Sequence, residues 1–257
     1  MKSRVLLSLL LTLLLRESRA QEPILVAPPS RPVGVKITRP GVVSIAGTPP
    51  VGGTLVTYGY SLDESAAGTR LQGMSTLFEH TLATRWAVYI VTTAPLIRDG
   101  NIALGDNCPG IKYRLATESG SRPLLAVSFG LKVPTATDGF GTGRYDYKLN
   151  WHADKGIGRT RWTGNFATLW AAQKNGTFVR QYTPALGTLV RWNGRWGTVL
   201  QSYWTTAGKG YGGVIAAPMF QVKNSFNVFA GCMRNFGRYT TAYSVVAGFN
   251  YMHRPQR

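Results

Sequence analysis

The chain has 257 residues, with 29 lysines and arginines against 11 aspartates and glutamates, a formal net charge of +18. Two cysteines (Cys108, Cys232) and three scattered histidines exclude a disulfide-dense scaffold, give no metal-ligand spacing and imply no cofactor. The basic excess points toward nucleic acid, but Lys and Arg fall singly through strand-like segments with no block or binding motif, which argues against such a partner.

Lys2 and Arg4 precede the apolar run VLLSLLLTLLL, and Ser18-Arg19-Ala20 follows it. This is the pattern of a secretory signal peptide over 1–20, because the run is too short to span a bilayer as a helix. Residues 21–50, QEPILVAPPSRPVGVKITRPGVVSIAGTPP, are proline-rich and aperiodic. They read as a periplasmic arm or linker, expected to be dispensable for folding because prolines deny it ladder hydrogen bonds.

From 51 to 257 the texture changes to aromatic and β-branched runs separated by Gly, Asn, Asp and Ser. Twelve strands are predicted, at 51–62, 70–81, 85–94, 107–117, 122–132, 143–153, 157–169, 182–193, 195–205, 211–222, 225–234 and 240–251. Connections after even-numbered strands are short (ATR, ESGS, DKG, NG, KN), and those after odd-numbered strands are mostly long, as in PLIRDGNIALGD and WAAQKNGTFVRQ. Barrels of the outer membrane sort their periplasmic turns and extracellular loops in this way. Asn193-Gly194 predicts a two-residue type I′ turn.

The segment RYDYKLNWHADK (144–155) shows what the faces meet. Arg144, Asp146, Lys148, Asn150 and His152 share one parity, and Tyr145, Tyr147, Leu149 and Trp151 the other. Other strands repeat the division. One set is too charged for a sandwich core, while the other would leave a continuous apolar patch in water. Water inside and lipid outside satisfies both. The expected fold is therefore all-β, a transmembrane antiparallel up-and-down β-barrel of about twelve strands in the outer membrane. Lipid and the barrel-assembly machinery are its expected partners. Trp151, Trp170, Trp192, Trp196 and Trp204 are expected to form interfacial girdles.

At GDNCPGIKYRL (105–115) and LLAVSFGLKVPTATDGFGTGRYDYKLNW (124–151) the sequence resembles the meta-pathway phenol-degradation family of outer-membrane proteins. The resemblance rests on Gly105-Asp106 before the Lys112-Tyr113 strand, on Gly130-Leu131-Lys132-Val133-Pro134-Thr135, and on Gly143 before an Asp-bearing strand. It is clearest over 70–165. It implies an outer-membrane barrel passing hydrophobic or aromatic compounds, with no catalytic residues. The chain departs from the family at Gln201, where an acidic residue is usual, and at its end, which runs past Tyr251 to Arg257.

The parity argument places Lys112, Arg114, Lys132, Arg144, Asp146, Lys148, Asn150, Arg159, Arg161, Arg191, Arg195 and Gln201 toward the lumen. Arg144, Lys148, Arg159 and Arg161 are expected to cluster with Asp146 as the acid that offsets them, which would make a passive channel anion-selective. The expected solutes are small, anionic or aromatic and hydrophobic. Two other readings stand beside this one. In the first the charges pair and plug a structural or adhesive barrel; in the second a lipid-modifying enzyme uses His152 as general base, for which the sequence assigns no serine.

Overall fold

The computed structural model describes residues 45–254 except 66–69, 99, 139, 174, 208–209 and 237–240. The predicted signal peptide and the arm up to residue 44 lie outside the described residues. Thirteen strands are found among those described: β1 (Thr54–Ser65), β2 (Arg70–Ala83), β3 (Trp86–Arg98), β4 (Asn101–Ala103), β5 (Cys108–Ala116), β6 (Leu124–Lys132), β7 (Asp146–Ile157), β8 (Thr160–Ala172), β9 (Phe178–Arg191), β10 (Trp196–Thr205), β11 (Tyr211–Lys223), β12 (Phe226–Phe236) and β13 (Thr241–His253).

Successive wall strands pair antiparallel, and β1 pairs with both β2 and β13, so the sheet closes. Closure leaves no strand edge, which is the condition for a sheet to stand in hydrocarbon. Twelve strands form the wall. The short β4, which the sequence did not signal, pairs with the end of β3 above the long-loop rim.

The parity reading holds along β7. Asp146, Asn150, His152 and Asp154 are buried inside, while Tyr147 and Trp151 are exposed outside. Outward rings pair across strands, as in the stack of Tyr58 on Phe249 at 5.3 Å. Trp192 and Trp196 lie at the rim of short turns, whereas Trp151 stands in the middle of β7 rather than in a girdle. Cys108 and Cys232 are both free thiols.

The alternation of short and long connections is also observed, but the Asn193-Gly194 turn differs from expectation. Gly194 is not among the glycines with positive φ. Instead the Asn193 carboxamide oxygen accepts from the backbone N–H of Arg195 at 2.9 Å and of Trp196 at 2.8 Å. An Asx-type side-chain bond thus supplies what a type I′ backbone would have supplied. In the β7–β8 turn Gly158 takes the left-handed conformation, at φ 59°.

One glycine pair shapes the lumen. Gly110 and Gly130 face each other across β5 and β6, and Tyr89 on β3 lies beside Gly110. A Cβ on Gly110 would meet the Tyr89 ring at 2.3 Å, and one on Gly130 would meet its hydroxyl at 2.7 Å. The ring therefore lies flat over the two glycines, with its hydroxyl donating to the Phe129 carbonyl at 3.2 Å.

Candidate functional site

The inward face of β2–β8 carries the charges, in three tiers set by register. Pairing of β6 with β7 puts Lys132 opposite Asp146, Ser128 opposite Asn150 and Leu124 opposite Asp154. At the long-loop end Lys132 lies 2.8 Å from Asp146 and 3.6 Å from Asp106. Both carboxylates are held from behind, Asp146 by the Ala172 N–H at 2.9 Å and Asp106 by the Ala136 N–H at 3.1 Å. The connections on either side are tied together here, since Leu104 and Thr137 exchange hydrogen bonds of 3.0 Å and Asn107 donates to Thr135 at 2.9 Å. The motif residues Asp106, Lys132 and Thr135 thus belong to one clasp.

In the middle tier Ser128 and His152 Nε2 are 2.8 Å apart, and Asn165 Nδ2 is 3.1 Å from His152 Nδ1. This is the serine that the sequence could not assign. The same Asn165 nitrogen donates to the Gly164 carbonyl at 2.8 Å, so it faces His152 as a donor. The tautomer that matches this contact has Nδ1 accepting from Asn165 and Nε2 donating to Ser128. A general base requires the opposite direction of transfer.

Lys112, opposite Ser128 in register, reaches toward the short-turn end and pairs with Glu79 at 2.7 Å, both side chains almost fully buried. Arg161 lies 3.3 Å from Asp154 and 3.9 Å from Glu118. Glu118, in the β5–β6 connection, also meets Lys155 at 3.3 Å and accepts from the Gly156 N–H at 2.8 Å. That backbone bond chiefly holds its carboxyl below the usual glutamate range; desolvation acts against it, and Lys155 and Arg161 reinforce it.

Residues 45–50 end in this tier. Lys112 Nζ donates to the carbonyls of Ile45 at 3.3 Å and Gly47 at 3.5 Å, and the Gly47 N–H donates to Asp154 at 3.4 Å. Arg114 donates to the Thr48 hydroxyl, and Thr81 donates to the Pro49 carbonyl at 2.9 Å. Ala46 is fully buried. These contacts reach inward side chains on β2, β5 and β7, so the end of the arm crosses the short-turn mouth rather than serving as a linker.

Lys112, Arg114, Lys132, Asp146, Lys148, Asn150, Arg161 and Gln201 fall on inward positions of their strands. Three others do not join them: Arg144 precedes β7, Arg159 lies in the β7–β8 turn and donates to the Trp192 carbonyl at 3.4 Å, and Arg195 lies in the β9–β10 turn; Arg191 keeps the inward parity of β9 but is exposed as its last residue. Arg161 does not join Asp146 as expected: Asp146 pairs with Lys132, while Arg161 pairs with Asp154 and Glu118. Glu79, Ser128, Asn165 and Tyr89 belong to the site without having been singled out in the sequence. No carboxylate follows Asp154, so β8–β13 line the lumen with neutral groups such as Asn165, Gln201, Tyr203 and Ser244, plus the cations Arg161 and Arg191.

The closed antiparallel barrel is a fold shared with solved outer-membrane channels and porins. An outer membrane channel from Pseudomonas putida F1 superposes with a TM-score of 0.62 over 79% of this chain and 96% of that one, at 10% sequence identity. The KdgM porin matches with a TM-score of 0.56 at 6% identity, covering 77% of this chain and 98% of its own. The NanC porin does so with a TM-score of 0.56 at 8% identity and the same coverage, 77% and 98%. No protein-family model matches the sequence, and no curated protein matches it.

Proposed function

We propose that this chain is a passive outer-membrane channel for small solutes, conducting along the lumen. The observation that carries the reading is the division of the wall: charged and amide side chains line the inside of a closed barrel whose outside is aromatic and aliphatic. Polar lining is costly to build unless the interior meets water or polar partners. The barrel likeness to channels and porins supports the same reading, as does the resemblance to the phenol-degradation family, whose clasp motif is assembled at the long-loop end.

The solutes we infer are small anions, aromatic acids included. Support comes from the absence of carboxylates after Asp154, which leaves the lumen wall of β8–β13 without a negative side chain. The paired charges on β2–β8 weaken the field that a bare basic cluster would give, so the preference expected is modest. In the arrangement observed, residues 45–50 narrow the short-turn mouth, and conduction of larger solutes requires that segment to move.

The test is ion current across planar bilayers holding the purified, refolded chain. Discrete conductance steps with chloride favoured over potassium, an asymmetry that shrinks with rising salt, support the proposal. A well-folded barrel that passes no current and hydrolyses added phospholipid would transfer the function to chemistry at Ser128 and His152.

A further inference from the structure

The rim of short turns carries a ring of exposed cations with little acidic offset. Every connection at the short-turn end carries an exposed cation: Arg85 between β2 and β3, Arg122 between β5 and β6, Arg159 between β7 and β8, Arg195 between β9 and β10, and Lys223 beside the β11–β12 turn. Arg254, just after β13, continues the ring at the C-terminal side. Glu118 is the one carboxylate in these connections, and it is engaged by Lys155 and Arg161. Glu79 and Asp154 point into the lumen and do not offset the ring.

Outward-facing tryptophans accompany the cations. Trp86 follows Arg85, Trp162 is the third residue of β8 after Arg159, and Trp192 and Trp196 flank Arg195; they are 47%, 43%, 65% and 50% exposed. Two of them are braced by neighbouring rings, Trp86 on Tyr113 at 4.6 Å and Trp196 on Phe220 at 4.7 Å. Indoles at this level sit among lipid headgroups, with the ring body in hydrocarbon and the N–H in the polar layer. An arginine one to three residues beyond reaches the phosphate layer, where its planar fork matches phosphate oxygens.

We propose that this rim is a binding collar for anionic phospholipid headgroups of the membrane's periplasmic leaflet. Two features select lipid over an acidic protein. The cations occur on all the turns and so around the whole circumference, whereas a protein partner would use one arc. They are also interleaved with outward tryptophans, which a partner docking end-on from the periplasm would not contact. The rim of short turns is the periplasmic one in barrels of this kind, so the lipid is phospholipid of the inner leaflet. The collar fixes the barrel's depth and gathers anionic lipid around its periplasmic end; it stands independently of whether the lumen conducts.

The experiment compares tryptophan quenching of the refolded full-length protein in phosphatidylcholine vesicles containing brominated phosphatidylglycerol or, at equal mole fraction, brominated phosphatidylcholine. The collar predicts an apparent preference for the anionic lipid of about fivefold, since one cation near an anionic surface is worth about that factor. It falls toward unity in 0.5 M salt, on the order of a few Å of screening length. The combined variant Arg122→Gln, Arg159→Gln, Arg195→Gln should lose most of the preference, and the three lysine replacements should keep it, with heat-modifiable migration confirming that both fold. Equal quenching by the two lipids overturns the proposal. So does a preference that survives in the glutamine variant, or one that is absent while the wild type binds polyglutamate, which would move the collar to an acidic protein partner.

Discussion

Replacing Lys112 by methionine probes the most deeply buried charge pair of the lumen. Lys112 and Glu79 are 3% and 2% exposed at the side chain, 2.7 Å apart. Removing one partner of such a pair leaves an uncompensated buried charge and costs about 3–5 kcal/mol. The lower end applies here, about 3 kcal/mol, because the lumen admits water more readily than a closed core and the Ile45 and Gly47 carbonyls that lose a donor lie near the mouth. The double replacement Lys112→Met, Glu79→Leu removes both charges and should recover stability to within about 1 kcal/mol of wild type. Urea titration of the vesicle-inserted protein, read by heat-modifiable migration, measures both. A single variant that loses less than about 1 kcal/mol, or a double variant as damaged as the single, would refute the buried-pair reasoning.

Gly110→Ala should cost about 1–3 kcal/mol by overpacking, since its Cβ would meet both the Tyr89 ring at 2.3 Å and the Phe129 carbonyl at 2.5 Å; Tyr89→Ala in the same chain should relieve only the first part, as urea midpoints would show. The lowered carboxyl of Glu118 contributes stability that is present above its unfolded value of 4.5 and is lost as pH falls through the lower folded value. Wild type minus Glu118→Gln should therefore show a melting difference at pH 6 that vanishes toward pH 3, and a difference independent of pH would contradict the assignment. Arg161→Gln should change channel selectivity more than Arg191→Gln, because Arg161 stands inside with Asp154 while Arg191 is exposed at the end of β9; reversal potentials decide between them.

The barrel was legible because its signal is local and repeated. Alternation along Tyr145–Trp151 and the sorting of connection lengths need no knowledge of distant contacts. The ion pairs needed such knowledge. Lys112 meets Glu79 across 33 positions of sequence, and Ser128 meets His152 across 24. Parity tells which face a residue occupies but not the level at which strands slide past each other, so Asp146 could not be matched to Lys132 rather than to Arg161. A clue was present: Glu79 lies on the inward parity of its strand, opposite the exposed Phe78. Arg159 was placed in a strand because β7 was expected to end before residue 154, whereas it continues to Ile157 and pushes Arg159 into the turn. The seat of residues 45–49 left no trace in periodicity, since the segment is held mainly through its carbonyls and one N–H, groups that every sequence possesses.

The measurement that bears most directly on the proposed channel is single-channel current through residues 21–257 beside a version lacking residues 21–50, in the same bilayer and salt. The account predicts that both fold, that the intact chain gives small steps, and that the shortened chain gives larger ones because the Lys112, Asp154 and Arg114 contacts no longer hold a segment across the mouth. Silence from both well-folded barrels, or identical steps from the two, would contradict it.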